Sequence, residues 1–168
     1  MSGTEPVAWR QTFRDYLELT KPEISFLVAI SALAGFLLGA ETIDWTLLAI
    51  TLTGTVLTAG GVGALNHYIE RDLDGLMRRT AGRPLPAGRV SPKHARTFGY
   101  VLATAGVALL CPLTNPMTGT LAALTVVLYL WVYTPLKRTT KYNTIIGTIP
   151  GALPALGGWT AATNDLHA

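Results

Sequence analysis

The 168 residues carry 13 Lys and Arg against 10 Asp and Glu, a formal net charge of +3. Charged residues make up 14% of the chain, against ~25% in a soluble domain, and 49% is hydrophobic, with a mean hydropathy of +0.37. This composition excludes intrinsic disorder, and a single cysteine, Cys111, excludes a disulfide framework or a cysteine metal cluster. The basic residues sit in short intervals between long uncharged stretches, which points to membrane orientation rather than to a nucleic-acid partner.

Residues 1–23 are expected to form a cytoplasmic leader. Within it, residues 10–20 place Phe13, Tyr16 and Leu17 at helical spacing opposite Arg14 and Glu18, the pattern of a short interfacial helix. For residues 1–9 a disordered leader is the alternative. The first apolar run begins only after Glu23, has no convincing cleavage context and is followed by further spans, so a secretory signal is not expected. Pro22 suits the first turn of the helix that follows.

Uncharged intervals of 17, 25, 40 and 23 residues follow Glu23, Asp44, Arg96 and Lys141. About 20 helical residues cross a ~30 Å hydrocarbon layer, so three of these intervals hold one helix each and the longest holds two, divided at Pro112 to Pro116. The reading is an all-α, polytopic transmembrane bundle with spans near 24–41, 46–66, 97–112, 117–134 and 143–162. All 13 basic residues fall before the first span, between the second and third, or between the fourth and fifth. Positive residues stay on the cytoplasmic side of short loops, which puts the N-terminus in the cytoplasm and the C-terminus of this chain outside. The fifth span holds two prolines and four glycines, features of a kinked helix lining a cavity.

The chemistry is concentrated in NHYIERDLDGLMRRTAGRPLPAGRVSP, Asn66 to Pro92. At 100° per residue, Asn66, Glu70 and Asp74 share one helix face and Asp72 falls on the far side. Three hard oxygen donors over two turns suit Mg²⁺, which usually completes its shell with water and substrate phosphates, so a diphosphate is the natural missing ligand. Arg78, Arg79 and Arg83 carry planar donor forks for phosphate oxygens. After the fourth span, Tyr133 and Lys137 lie one helical turn apart and Asn143 opens the fifth, with Lys137 a point charge for phosphate and Tyr133 a donor or pocket wall. The plainer alternative is that the carboxylates pair with Arg71 or Arg78 and that the basic residues only orient the chain. His67, His94 and His167 form no ligand set and read as boundary or loop residues. Trp45, Trp131 and Trp159 read as interface anchors. No Gly-rich phosphate loop and no serine or cysteine nucleophile is evident.

NHYIERDLDGLMRRTAGRPLP resembles the first aspartate-rich motif of the UbiA superfamily of intramembrane prenyltransferases. Its RT-x-x-RPL continuation, DYLELTKPEI before the first span and YTPLKRTTKYNTIIGTIPGALPALGGWTAA at the end resemble the superfamily's haem-farnesylating branch. The likeness covers nearly all of residues 15–162. Glu70 stands where the motif usually has aspartate, and Glu23 where the branch generally has arginine.

The resemblance implies nine membrane helices around a central cavity and a second aspartate-rich motif beyond this chain, which would be the N-terminal part with little or no activity alone. It implies a bacterial inner-membrane transferase that ionises farnesyl diphosphate with Mg²⁺ and directs the allylic cation to a vinyl group of haem b. In that scheme Asn66, Glu70 and Asp74 hold the metal, with Asp72 a weaker candidate, while Tyr133, Lys137, Asn143 and the three arginines serve the diphosphate. The partners implied are both substrates, the bilayer, the remaining helices and terminal-oxidase assembly proteins, with no nucleic acid. The alternatives are a related prenyltransferase acting on a quinone precursor or chlorophyllide, and a non-enzymatic cation-handling or assembly subunit.

Overall fold

A computed structural model describes residues 5–137, 139–140 and 142–165, and among them the regular structure is all helix, without strands. Their helices are α1 (Glu5–Leu19), α2 (Pro22–Gly39), α3 (Trp45–Asp74), α4 (Pro92–Leu113), α5 (Pro116–Leu136) and α6 (Asn143–Thr163). Arg138, Lys141 and His167, which entered the charge and ligand readings above, lie outside the described residues.

Local chemistry starts three of the long helices. Asp44 accepts from the backbone N–H groups of Thr46 and Leu47, Ser91 from that of His94, and Asn115 from that of Thr118. Each satisfies N–H groups that the first helical turn leaves unpaired. Pro92 and Pro116 follow two of these caps, where proline costs no hydrogen bond. α2 also begins on a proline, but its N-cap is Lys21, at φ 49° and without a side-chain cap.

Helices α2, α3, α4 and α5 are long and apolar enough to cross a membrane, and the chain is an integral membrane protein. α6 is as long as α5 but is not among those four, because its prolines, glycines and threonines lower its hydropathy. It nevertheless runs unbroken through Pro150 and Pro154 and packs along α2. A side chain at Gly158 would meet the Ala32 carbonyl, and one at Gly35 the Ala155 carbonyl, so these two backbones touch. Small residues at this spacing hold membrane helices together by dispersion where hydrophobic exclusion is absent. α3 and α4 approach in the same way, antiparallel, at Gly61 and Gly99.

Three features depart from the linear reading. The helix of the second span, α3, continues through Asp74, so the acidic motif belongs to its last turns. Residues Leu128–Tyr133 of α5 form a π-helical segment, in which both the N–H and the hydroxyl of Thr134 donate to the Tyr129 carbonyl. Trp45 and Trp131 are exposed, whereas the Trp159 ring packs where a side chain at Gly39 would lie and its N–H is buried.

Candidate functional site

α3 presents its polar turns to three other segments. Asn66 is 1% exposed, and its side-chain oxygen accepts from the Lys21 ammonium in the α1–α2 turn. One turn on, Glu70 Oε1 lies 2.6 Å from Lys137 Nζ, just past the end of α5. A further turn on, Asp74 Oδ2 lies 2.7 Å from Arg83 Nη1 in the α3–α4 loop. The three acceptors of one helix face therefore meet three cations from three different segments. Asp72 is on the other side, 81% exposed and 3.4 Å from Arg71 Nη2. The plainer pairing with Arg71 thus applies to Asp72, while Glu70 reaches across the fold to Lys137 and Asp74 pairs with Arg83 of the loop that follows α3.

Both pairs are largely shielded, with the Asp74 side chain 3% and that of Glu70 12% exposed. In such surroundings each charge depends on its partner, and removing one partner costs far more than the pair contributes. Asp74 is tied further by its backbone carbonyl, which accepts from the buried Thr80 hydroxyl and fixes the loop that carries Arg83.

In the sequence Lys21 reads only as an orienting charge. Its backbone is left-handed directly before a proline, where an extended conformation is usual, and strain of this kind concentrates at functional sites. Burial, and next the Arg83 guanidinium, bring its pKa from 10.5 down to about 8. The one sequence signal for it is the Lys-Pro step itself.

Below the cation layer lies a cavity of about 500 Å³ between α2, α3, α5 and α6. Lys21, Tyr133 and Asn143 line its polar end, and Val28, Val62 and Ala122 its walls. Leu110, Thr118 and Gly157 line the opposite end. There Thr118 and Thr160 share a hydroxyl hydrogen bond of 2.8 Å, and Asn115 donates to the Thr160 carbonyl at 2.7 Å. α6 contributes from Asn143 to Gly157, about 21 Å of helix at 1.5 Å per residue. The space suits an extended apolar chain with an anionic head.

The remaining site expectations divide. Tyr133 and Asn143 line the cavity, and Lys137 Nζ stands 5.9 Å from the Tyr133 ring centroid. Tyr129 also lines it, its ring 5.1 Å from that of Tyr133, a residue missed because the π segment that turns both rings is not visible in the hydropathy pattern. The arginines separate: Arg83 holds Asp74, whereas Arg78 and Arg79 are exposed and form no ion pair among the described residues. His67 is not a boundary residue but is buried within α3.

Among the described residues, no three His, Cys, Asp or Glu side chains are grouped to hold a metal ion. One amide oxygen and two carboxylates on successive turns are donors of the kind a hard cation takes when phosphate oxygens and water complete its shell, and here each faces a cation of the chain instead.

Fold and site define a membrane-embedded helical protein with a polar, cation-rich pole over an apolar cavity. Residues 28–168 match the UbiA prenyltransferase family, and the chain belongs to that family. It is 63% identical over 155 residues to the protoheme IX farnesyltransferase of Salinibacter ruber, covering 92% of this chain and 55% of that protein. Proteins of the same name from Pseudomonas fluorescens and Opitutus terrae are 47% and 44% identical over 93% of this chain and 53% of their own lengths. The chain thus spans about half the length of the curated relatives it matches. Among solved structures, one described as digeranylgeranylglyceryl phosphate synthase has the same fold, with a TM-score of 0.76 and 21% identity over 90% of this chain and 54% of that one.

Proposed function

We propose that this chain forms the donor-binding half of a protein that transfers a farnesyl group from farnesyl diphosphate to a vinyl group of protohaem, giving haem O. The observation that carries the reading is the set of Lys21, Lys137 and Arg83 held against the oxygens of Asn66, Glu70 and Asp74, with Lys21 also at the polar end of the apolar cavity. The names of the relatives supply the acceptor and the prenyl group.

UbiA-type prenyltransferases generally use Mg²⁺, which here would be held by Asn66, Glu70 and Asp74 and would draw charge from the diphosphate as its bond to carbon weakens. The chain's own part is an exchange of partners. As these oxygens turn from Lys21, Lys137 and Arg83, the freed cations engage the diphosphate. They stabilise it most when the C1–O bond breaks and the bonding pair leaves with it. The vinyl π electrons then form the new bond to C1, and water adds to the resulting cation with loss of a proton. The cavity between Val28, Val62 and Ala122 holds the isoprenoid and keeps bulk water from C1. With Lys21, Arg83 and Lys137 at the cytoplasmic end, the N-terminus faces the cytoplasm.

The test is a hybrid in which this chain replaces the matching half of the Salinibacter ruber relative, supplied with Mg²⁺, farnesyl diphosphate and protohaem. Farnesylated haem is expected from the hybrid, and little or none from its Asp74→Asn form or from the 168-residue chain alone. A folded hybrid that conducts cations and forms no prenylated product would replace this reading with the cation-handling one.

A further inference from the structure

Arg14 of α1 and Arg79 of the α3–α4 loop are both exposed, and neither forms an ion pair among the described residues. With Lys21, Arg83 and His67 they line a second recess, of about 570 Å³. It shares only Lys21 and Ile24 with the apolar cavity, and neither Arg79 nor Arg83 lines that cavity. Leu17, Pro22 and Ile24 give the recess an apolar edge, and among the described residues Glu18 and Glu23 are its acids. Glu18 is already drawn 3.7 Å from Arg89 Nη2, so positive charge prevails. His67 is 3% exposed in this wall, and its Nδ1 is buried without a hydrogen-bond partner. A buried polar atom left unpaired is costly and calls for a ligand or a function.

A transferase for two anionic amphiphiles has to hold both charges while their reacting ends meet, and Arg14 and Arg79 are the cations of this recess that no oxygen of the α3 face engages. The donor's diphosphate belongs to the α3 face. We propose that the second recess receives the carboxylate edge of the acceptor, the paired propionates of protohaem, with Arg14 and Arg79 as its binding residues and His67 as a further polar contact. The assignment rests on the donor and acceptor reading above. Guanidinium forks match carboxylates in paired hydrogen bonds, and the Leu17, Pro22 and Ile24 edge suits the macrocycle. Ile24, common to both recesses, lies on the route by which the acceptor's apolar side approaches the donor. Arg79 is thereby an acceptor residue rather than part of the diphosphate clamp.

The test is a fluorescence titration of the 168-residue chain in detergent micelles with iron-free protoporphyrin IX and with its dimethyl ester, whose carboxylates are capped. The free acid is expected to bind about tenfold or more tightly than the ester, the scale of one charge-assisted contact. Arg14→Gln with Arg79→Gln should bring the acid down to the ester's affinity and leave the ester unchanged. Inorganic pyrophosphate with Mg²⁺ should not displace the porphyrin. Equal binding of acid and ester, or indifference to both substitutions, overturns the site while leaving the donor reading intact. Displacement by pyrophosphate makes the recess part of the diphosphate clamp, and displacement by phosphatidylglycerol makes it a lipid headgroup site. Either result overturns the assignment. No porphyrin binding in a chain that still binds farnesyl diphosphate overturns the site and protohaem as acceptor together. Loss of donor binding, by contrast, counts against the donor reading alone.

Discussion

Lys137 Nζ lies 2.6 Å from Glu70 Oε1, so the end of α5 is tied to α3 by a charge pair with the Glu70 side chain 12% and Lys137 26% exposed. Neighbouring pairs in a shielded network couple by about 0.5–3 kcal/mol. A double-mutant cycle of Glu70→Gln and Lys137→Met, read by thermal unfolding in micelles, is expected to show coupling of at least about 1 kcal/mol. Additive effects would mean that the pair does not join the helices.

Lys21 carries the pH dependence. Its pKa in the fold, about 8, is below the ordinary 10.5, because burial and Arg83 disfavour the charged amine. Between these values the unfolded chain binds more protons, so Lys21 makes stability rise with pH from about 8 to 10.5. An anion beside the amine favours its charged form, so pyrophosphate binding without metal should take up a proton in this window and weaken as pH rises through it. Calorimetry in buffers of different ionisation enthalpy reads the proton count. Lys21→Arg, charged throughout, should abolish the uptake, and its persistence in that variant would assign it to another group.

Gly157 and Gly158 are neighbours on α6 with opposite surroundings. A Cβ at Gly157 meets nothing within 4 Å, whereas one at Gly158 meets the Ala32 carbonyl and stands 2.8 Å from Phe36 N. Gly158→Ala should therefore cost about 3 kcal/mol, at the upper end of core overpacking, and Gly157→Ala nothing or a slight gain. Equal thermal stabilities would show that α2 and α6 are free to move apart.

Gly157 also lines the end of the cavity where hydrogen bonds join Asn115, Thr118 and Thr160. Gly157→Leu should shorten the space there. Unreactive farnesyl thiodiphosphate should bind about tenfold more weakly and the geranyl analogue unchanged, since a few methylenes in an apolar pocket discriminate on this scale. Equal losses for both would place the isoprenoid elsewhere.

Much of this was legible because the deciding signals are local. The breaks near Asp44 and at Pro112 to Pro116 are set by the residues at those points, and the i, i+4, i+8 spacing of Asn66, Glu70 and Asp74 fixes a shared face before any tertiary contact forms. What the linear pattern leaves out depends on which segments meet. Lys21 reaches Asn66 across 45 positions, and the π segment of α5 depends on Thr134, to which Asn66 also donates at 3.4 Å. The three arginines look equivalent along the loop, and only its turns set Arg83 against Asp74 while leaving Arg78 and Arg79 outside.

The central claim is that Lys21, Lys137 and Arg83 form a diphosphate clamp in exchange with Mg²⁺ on Asn66, Glu70 and Asp74. Its most direct measurement is calorimetric titration of the 168-residue chain in micelles with farnesyl thiodiphosphate, with and without Mg²⁺, for the native sequence, Asp74→Asn and Lys137→Met. Binding should be Mg²⁺-dependent, and each variant should weaken it by about tenfold or more, the scale of one charge-assisted contact. Binding of equal strength in all three proteins, or indifferent to Mg²⁺, would contradict the clamp.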